Sequence, residues 1–375
     1  MQSASQSVAH GNAPAPLPDD WRVEIVNDPA RIDAARWNAL LARQACPTPF
    51  MRHEYLAALR ASGSAVPRTG WTPQFLLLWD GAELAAACPL YLKAHSYGEY
   101  VFDWAWANAY AEHGLDYYPK ALVAVPFTPV PGSRLLARDA AARTALLRTL
   151  LEACTDNGLS SLHVLYGDDT DIAACENTGL MLRQQVQFHW KNHAPARQAP
   201  FTDFEDFLAS LARDKRKKIR QERRRVHEAG VRVRWARGAD ITPADWAFFY
   251  RCYERTYLEH GNAPYLTPAF FDRIARELPQ AWVLFVAERD GHDIAASLIA
   301  VDTNPNGHVA YGRYWGALER VDCLHFELCY YAPLAWCIAH GVRRFEGGAQ
   351  GEHKMARALL PVTTHSAHWL AHPAF

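Results

Sequence analysis

The chain has 375 residues, half of which are apolar, and its 13 Trp, 16 Tyr and 16 Phe can fill the cores of about two ordinary domains. A formal net charge of −1 excludes a general electrostatic attraction to nucleic acid or to membrane surfaces, so a charged partner must meet a local patch. The eight cysteines include no C-x-x-C pair and mostly lie in apolar runs, which favours reduced thiols in a cytosolic protein over a disulfide framework.

The N-terminal segment is polar and rich in Pro and Ala, and it lacks the charged and apolar regions of a signal peptide. We predict a disordered leader over residues 1–20. No apolar stretch reaches the roughly 20 residues that cross a bilayer. The sequence therefore predicts a soluble, cytoplasmic protein without membrane insertion.

Residues 21–195 are predicted to form a first domain. Helical spacing of apolar residues predicts helices over 28–41 and 53–61, and two β-rich runs joined by Asp80-Gly81 predict a hairpin. A strand and a Pro/Gly turn follow over 120–136. The remainder is typical of a helix, a strand, a short helix and a strand, over 142–154, 160–167, 171–179 and 180–190.

Residues 231–375 are predicted to repeat this order as a second domain. Two helices are expected over 244–261 and 268–278, followed by a hairpin about Asp290-Gly291. A strand, a helix and a strand then follow over 307–318, 325–341 and 342–349. This duplicated α+β order, without obvious sequence identity, fits the N-acetyltransferase (GNAT) superfamily, in which a splayed mixed sheet holds an acyl donor at its opening.

Residues 196–230 are predicted to form a basic connecting helix. Thr202 and Glu205 have the capping-box spacing, and Gly230 marks the end of the helix. Between residues 213 and 225 there are nine Lys or Arg and two acids, whose mutual repulsion a polyanion would relieve.

One face of this helix is a candidate phosphate or donor site. Lys217, Arg220 and Arg224 share that face by their three- and four-residue spacing. A pyrophosphate, a CoA and a tRNA backbone would all suit these cations, and a solvated helix face is the alternative.

Residues 91–110 alternate aromatic and polar side chains. They include His95, Glu99, Asp103 and Trp104, a combination that is typical of a cleft for a polar, partly flat ligand. The alternative is a strand and loop whose aromatic rings fill a gap between domains and whose polar groups are satisfied locally.

Two further segments have the positions at which acyltransferases hold their donor. Residues 124–136 combine a strand, a turn at Pro131-Gly132 and a helix N-terminus, but they offer a single Gly and a single Arg for a pyrophosphate. In residues 307–331, Tyr311, Arg313 and Trp315 alternate along a predicted strand and are expected to line one face. Tyr314 is expected on the other face, and Glu327 follows at the entrance of the next helix.

The densest polar stretch is FEGGAQGEHK, residues 345–354. Glu346 ends a predicted strand, and the two glycines after it allow a close approach of backbone. Gln350, His353 and Lys354 follow within a few positions. A carboxylate or an imidazole there could take a proton from an attacking amine, because burial tunes both groups toward neutral pH.

Zinc is the alternative for the histidines near this stretch. His325, His353 and His365 lack any metal-binding spacing, so no metal is expected.

Several of these stretches resemble the bacterial FemAB-like proteins of the GNAT superfamily, which are labelled peptidoglycan biosynthesis or recognition proteins. The resemblance spans residues 37–368 and rests on HSYGEYVFDWAWA, AVPFTPVPGSRLL, YGRYWG, LHFELCYY, FEGGAQGEHK and KRKKIRQERRRV. It implies two tandem GNAT-like domains. Relatives in the wider Fem group transfer amino acids from aminoacyl-tRNA to the peptide of a cell-wall precursor. The helical arm that some of them insert for tRNA is not evident here, because the 201–230 helix is predicted to be single and short.

These patterns predict a transferase, an N-acyltransferase that moves an acyl or aminoacyl group from acyl-CoA or aminoacyl-tRNA to an amine. The acceptor is expected to be a small molecule or a peptide precursor of peptidoglycan. Glu346 or His353 is expected to assist deprotonation, and Lys354 or Arg313 to stabilise negative charge. The expected substrate cleft comprises His95, Glu99, Asp103, Trp104, Tyr311, Arg313, Trp315, Glu327 and Gln350.

Two other functional classes fit parts of the sequence. A non-catalytic recognition module for a muropeptide or nucleotide-linked precursor fits the absence of a Gly-rich phosphate loop. An RNA-binding protein fits the basic helix but not the near-neutral overall charge.

Overall fold

A computed structural model of the chain describes residues 20–194, 196–302 and 308–375. The predicted leader, apart from Asp20, lies outside the described residues. Within the described ranges, no helix combines the length and the apolar character that crossing a bilayer requires.

The first half alternates short strands with helices. Its strands are β1 (Trp21–Val26), β2 (Trp71–Pro73), β3 (Phe75–Asp80), β4 (Glu83–Cys88), β5 (Leu90–Lys93), β6 (Lys120–Val123), β7 (Leu136–Ala137), β8 (Ser161–Gly167) and β9 (Met181–Lys191). Its helices are α1 (Ala34–Ala42), α2 (His53–Ala61), α3 (Trp104–Glu112), α4 (Ala140–Asp156) and α5 (Asp169–Asn177).

Most of the predicted elements of this half are present, and two expectations were wrong. Trp104–Glu112 is a helix rather than part of the strand and loop given as the alternative for residues 91–110, and its Trp106 packs against His163 of β8 and His368 of β15. The Pro131-Gly132 turn leads into strand β7 rather than a helix N-terminus. Helix α4 begins later, where the Asp139 carboxylate accepts a hydrogen bond from the N–H of Ala142.

The second half begins with two helices and ends with a strand. Its helices are α6 (Phe204–Ala209), α7 (Arg213–Glu228), α8 (Pro243–Glu259), α9 (Pro268–Glu277), α10 (Leu324–Phe326) and α11 (Ala332–Ala339). Its strands are β10 (Arg232–Arg237), β11 (Trp282–Arg289), β12 (His292–Val301), β13 (Val309–Ala317), β14 (Arg344–Glu346) and β15 (Leu360–Leu370). A π-helical turn (Glu327–Tyr331) joins α10 to α11, and a 3₁₀ helix (Glu352–Arg357) precedes β15.

The predicted hairpin between β11 and β12 is confirmed. Asp290 and Gly291 have φ values of 53° and 77°, the left-handed pair that a tight hairpin turn requires. Helix α8 starts at Pro243 behind a capping box formed by Thr242 and Asp245.

The connecting helix was wrongly predicted as a single helix. It is two helices, α6 and α7, separated at residues 210–212. The N-cap of α6 is Asp203, whose carboxylate accepts from the N–H of Asp206, and not Thr202. A carboxylate is an equally favoured cap one residue further along, so the helix begins there.

One 11-stranded sheet runs through both halves in the order β10-β11-β12-β13-β14-β9-β15-β8-β6-β5-β2. A second sheet has the order β1-β3-β4-β7. In the long sheet the halves exchange strands, because β9 of the first half pairs with β14, and β15 of the second half pairs with β8. The two exchanged strands pair with each other in an antiparallel register. The predicted domain boundary at residue 195 stays a prediction, but hydrogen bonds of one sheet cross it.

Each half contains one parallel pair at which the sheet opens. β13 and β14 pair only over Val309–Tyr311 and Arg344–Glu346, and β13 then continues to Ala317 without a described strand on that edge. In the first half, β6 and β8 pair in the same way. There the segment before β7 lies against β8 and closes the opening, because the N–H of Gly132 donates to the carbonyl oxygen of Tyr166 over 3.0 Å. The opening in the second half is therefore the one that positions a site.

Candidate functional site

A cavity of about 160 Å³ lies where β13 and β14 separate. Residues of β12, of β13, of α10 and the π-helical turn, and of the end of β14 surround it. It is lined by Ser297, Ile299, Gly312, Arg313, Tyr314, Trp315, His325, Cys329, Tyr330, Phe345 and Gly347. The open edge of β13 beside it presents backbone N–H and C=O groups that no described strand uses.

Alternation along β14 decides which side chains reach this cavity. Phe345 packs in the hydrophobic cluster that contains helix α11, and the cavity lies on that face. Glu346 is opposite Tyr311 in the register, and Tyr311 belongs to the cluster on the other face of the sheet. Glu346 therefore points away from the cavity.

Two polar rings, those of His325 and Tyr330, lie at the rim of the cavity, and His353, an exposed residue outside the lining, contacts Tyr330. Tyr330 and His325 line it directly, with their ring centroids 5.7 Å apart. The Tyr330 hydroxyl lies 3.3 Å from Nε2 of His353. Burial lowers the pKa of His325 to about 4, and burial together with Arg357 lowers the pKa of His353. Both imidazoles are consequently neutral at pH 7, and Tyr330, whose pKa burial raises, keeps its proton.

Lys354 is buried and its ammonium group is fully engaged by the turn before it. Nζ donates to the carbonyl oxygens of Gly347 over 2.7 Å, Gly348 over 3.3 Å and Ala349 over 2.7 Å. Burial lowers the pKa of Lys354 to about 8. All three N–H groups of the ammonium are bonded to carbonyl oxygens, so this side chain stabilises the conformation of the turn next to the cavity.

The close approach predicted for the two glycines is found at Gly347. A Cβ there would lie 2.4 Å from Leu359 and 3.0 Å from the carbonyl oxygen of Phe188. Gly348 has φ of 74°, a conformation that favours glycine. The turn therefore needs both glycines, for different reasons.

The segment that carries His353 and Lys354 is tied to helix α7 by a buried ion pair. Arg357 donates from Nη2 to Oε2 of Glu222 over 2.6 Å, and from Nε to the Tyr331 hydroxyl over 2.8 Å. Its Nη1 donates to the carbonyl oxygen of His353 over 2.7 Å. The guanidinium carbon also lies 3.6 Å from the centre of the Phe326 ring. Arg357 thus fixes the backbone of His353.

On the opposite face, Glu346 is buried beside Arg344 and His189. Arg344 Nη2 lies 2.9 Å from Oε1, and His189 Nε2 lies 3.9 Å from Oε2. Burial raises the pKa of Glu346 to about 7. The structure does not bring the three predicted catalytic residues together, because Glu346 is separated from His353 and Lys354 by the sheet.

A β-bulge overturns the predicted face of β13. Gly312 is opposite Ile299 and Tyr314 is opposite Leu298, so Arg313 is an extra residue in the strand. Tyr311 and Tyr314 consequently lie on one face, and Trp315 faces the cavity, with its ring centroid 5.3 Å from that of His325. The Arg313 guanidinium lies near Phe50 and Tyr314 and donates to the carbonyl oxygen of Phe127 over 3.0 Å.

Two of the three acidic residues predicted for the substrate cleft, Glu99 and Asp103, are inside the first half. Glu99 and Asp103 both accept hydrogen bonds from the buried Lys120 ammonium, which lies 2.8 Å from Oε2 of Glu99. Burial raises the pKa of Glu99 to about 7. His95 is half-buried, Trp104 is exposed at the first position of α3, and both lie outside this network. The predicted cleft set is therefore not assembled in one place.

The other predicted positions are divided between the helix α7 surface and the turn after β14. Gln350 is exposed, with φ of 63°. Glu327 is buried and accepts two hydrogen bonds of 3.1 Å from Arg223. Arg220 and Arg224 line an open groove beside α7, whereas Lys217 is exposed outside that lining.

Sequence reasoning placed Tyr330 at the helix entrance of the expected donor segment without giving it a chemical role, and it assigned no role to Arg357 or Lys120. Tyr330 is the aromatic residue of ELCYY that reaches the cavity, and only the π-helical turn makes that clear. Arg357 and Lys120 are single cations between apolar residues, a pattern that indicates a buried ion pair but does not identify the partner.

The connection between β13 and α10 does not fit the pyrophosphate of a CoA. Residues 318–323 contain no glycine, and they carry Glu319 and Asp322 beside Arg320. Glu319 is paired with Arg289. A backbone cradle of N–H groups needs glycines and a neutral or positive surrounding, so no step below uses CoA.

Comparison with solved structures confirms the predicted α+β fold with two tandem GNAT-like halves. L-PGS from Bacillus licheniformis is 10% identical with a TM-score of 0.57, covering 93% of this chain and 95% of that one. The C-terminal domain of a protein described as a lysylphosphatidylglycerol synthetase, from Agrobacterium fabrum, is 12% identical with a TM-score of 0.56, covering 92% and 94%. FemX is 10% identical with a TM-score of 0.53, covering 91% and 96%. At such identities the likeness shows the fold alone.

The family is decided by sequence rather than by these structures. A search of curated proteins found no match. The family model described as FemAB-like, peptidoglycan biosynthesis/recognition, matches residues 28–375. The resemblance predicted from the sequence is confirmed, and the chain belongs to the FemAB-like family.

Proposed function

We propose that the protein transfers an acyl or aminoacyl group to an amine at the cavity between β13 and β14. The observation that carries this proposal is the combination, at one sheet opening, of a small cavity, an unpaired strand edge and the Tyr330–His353 pair. The family description, peptidoglycan biosynthesis/recognition, and the fold shared with FemX and with a protein described as a lysylphosphatidylglycerol synthetase support the same class of reaction.

The cavity would hold the acyl group with its carbonyl beside the open edge of β13. Backbone N–H groups of that edge would stabilise the oxyanion of the tetrahedral intermediate, since preorganised donors need no rearrangement as the charge develops. The volume of about 160 Å³ suits a small acyl or aminoacyl group rather than a long chain.

Proton transfer would pass through Tyr330 to His353. As the amine nitrogen forms its bond to the carbonyl carbon, the amine proton moves to the Tyr330 oxygen and the phenol proton moves to Nε2 of His353. When the intermediate collapses, the bond from carbon to the leaving ester oxygen breaks and the proton returns along the same route to that oxygen. Lys354 and Arg357 would position His353 rather than take part in the chemistry.

This proposal is tested by transfer assays with several donors. Alanyl-, glycyl- and lysyl-tRNA and acetyl-CoA are offered with UDP-linked muropeptide or with phosphatidylglycerol vesicles, and the products are detected by mass spectrometry. We expect His353→Ala and Tyr330→Phe to lower kcat by about 10²–10⁴, the usual contribution of a proton-transfer group. His292→Ala, an exposed histidine on β12, is the control and should keep full activity.

Two further readouts separate a catalytic from a structural role. Free imidazole should restore part of the activity of His353→Ala. Because the pKa of His353 is held below its usual value, the activity of the wild-type protein should fall only below about pH 6.5. Full activity of both variants would refute the proposed site.

The recognition module remains the second candidate function, because the sequence lacks a Gly-rich phosphate loop in both halves. It predicts saturable binding of the UDP-linked muropeptide without transfer from any donor. The same assays distinguish it from the enzyme.

A further inference from the structure

Helix α7 concentrates positive charge on one surface element of a nearly neutral protein. It carries nine Lys or Arg and three acids within its 16 residues, a net charge of +6. Because the formal charge of the whole chain is −1, the remainder of the chain carries −7. The charge of the protein is therefore polarised, with a positive surface at α7 and a net negative remainder.

Packing against the sheet fixes which side of α7 faces solvent. Its buried residues are Ile219, Glu222 and Val226, which are three and four positions apart and so share one side of the helix. Ile219 and Val226 belong to the hydrophobic cluster on the cavity face of the long sheet, and Glu222 binds Arg357. The opposite side is left to solvent over the whole helix, about 24 Å at a rise of about 1.5 Å per residue.

Most of the cations on the solvent side of α7 are not neutralised by the protein itself. Seven Lys or Arg of the helix are exposed, and among the described residues only Arg220 of these seven has a carboxylate partner, Glu205. The six others are Arg213, Lys215, Lys217, Lys218, Arg224 and Arg225. Neighbouring cations without acids repel one another, and contact with several anions at once relieves that repulsion.

Three of these cations form a row along the outer side of the helix. Lys217 follows Arg213 by four positions and precedes Arg224 by seven, so the three side chains lie on one side, opposite the buried residues. The row belongs to a convex helix surface and not to a groove. Such a surface can contact a plane along its length but cannot enclose a small ligand.

The composition of α7 favours a lipid surface over a nucleic acid. Clusters of about four to eight Lys or Arg on a surface helix are typical of binding to anionic lipid headgroups. The helix has no Phe, Tyr or Trp on which an unpaired base could stack. A long nucleic acid would also extend beyond α7 and meet the net negative remainder of the chain, whereas a flat surface can contact the helix alone.

We propose that the outer side of α7 docks on an anionic lipid surface, with Arg213, Lys217 and Arg224 against the headgroups. The contact is peripheral and electrostatic, because the apolar residues of α7, Ile219 and Val226, are both buried. The cavity between β13 and β14 lies on the same face of the long sheet as α7, so docking turns that face toward the lipid. The inference does not depend on acyl transfer, since binding is measured without an acyl donor.

The test is co-sedimentation of the full-length protein with sucrose-loaded vesicles, made of phosphatidylcholine alone or with about 30% phosphatidylglycerol. We expect partitioning onto the anionic vesicles to be at least about tenfold stronger. It should fall by more than about tenfold between about 0.1 and 0.5 M NaCl, because salt screens these charges. Lys217→Gln alone should weaken it about fivefold, and the triple variant Arg213→Gln/Lys217→Gln/Arg224→Gln about 100-fold.

The matched control is the triple variant Arg31→Gln/Arg251→Gln/Arg276→Gln, which removes the same number of exposed charges from positions outside α7. Its partitioning should change less than about twofold, and circular dichroism should show that both triple variants keep the fold. The proposal is overturned if the anionic vesicles do not bind the protein or if the two triple variants bind them equally. Binding of a duplex RNA at about 0.15 M salt, without binding to the anionic vesicles, would assign α7 to nucleic acid and also overturn it.

Discussion

Lys354 illustrates how one buried cation can organise a turn. Its ammonium donates to three successive carbonyl groups, which a turn with two glycines brings together. The sequence suggested a catalytic cation at this position, but the geometry favours a supporting role, since the three N–H bonds of the ammonium are already used.

Replacing Lys354 by Met should therefore destabilise the protein rather than only slow its reaction. Hydrogen bonds from a charged donor contribute about 1.5–3 kcal/mol, and Lys354 itself is buried, so we expect the free energy of unfolding to fall by about that amount. Urea denaturation monitored by tryptophan fluorescence measures it. Lys217→Met, on the exposed surface of α7, should be neutral within about 0.5 kcal/mol. Equal stability of the two variants would contradict the supporting role.

At the scale of elements, helix α7 is coupled to the 3₁₀ helix before β15. Glu222 is the buried acid of this otherwise basic helix, and it accepts hydrogen bonds from Arg357 and from Tyr331. The pair links a surface helix to the backbone of His353. A change in the position of α7 would consequently shift the backbone of His353 at the rim of the cavity.

A double-mutant cycle measures this coupling. Glu222→Leu alone leaves the Arg357 guanidinium buried without its partner and should cost about 3–5 kcal/mol of stability. Arg357→Leu alone should cost a similar amount. The double variant should cost clearly less than the sum, because two apolar side chains replace a whole ion pair. Additive losses in urea denaturation would show that the two residues do not interact.

Local patterns and long-range pairing differ in how far they could be predicted. The hairpin at Asp290-Gly291 was predictable because turn chemistry depends on two adjacent residues. The bulge at Arg313 was not, because it depends on the register with β12, and it moved Trp315 to the face opposite Tyr311. The break between α6 and α7 was missed because residues 210–212, which precede the basic run, contain neither glycine nor proline.

The sequence predicted where the candidate site lies better than it predicted which residues form it. FEGGAQGEHK does lie at the opening of the sheet, as its glycines and its position after a strand indicated. Glu346 faces away because one step along a strand reverses the side chain, and the strand boundary alone does not fix that step. Glu99 and Asp103 are engaged by Lys120, a contact between residues far apart in sequence.

At the scale of the whole molecule, the exchange of β9 and β15 makes each half incomplete without the other. β8 lies beside β15, which the second half supplies, and β14 lies beside β9, which the first half supplies. A sheet edge that loses its neighbour exposes unpaired hydrogen-bonding groups.

Expression of residues 1–195 and 196–375 as separate chains tests this interdependence. Each fragment alone should be unfolded or aggregated, because it lacks a central strand of its sheet. Mixing or co-expressing the two should give a 1:1 complex with native far-UV circular dichroism. A folded, monomeric fragment 1–195 would show that β15 is dispensable for the first half.

The same strand exchange gives one polypeptide the connectivity of a domain-swapped dimer. The strand order of the long sheet is equivalent on the two sides of the contact between β9 and β15. On one side follow β14 and β13, and on the other side follow β8 and β6. The order of strands in the long sheet is therefore pseudo-symmetric about the contact between those two strands. Because both halves belong to one chain, each half can carry different residues at its own opening. One opening could then keep its cavity while the corresponding opening was closed by its own chain.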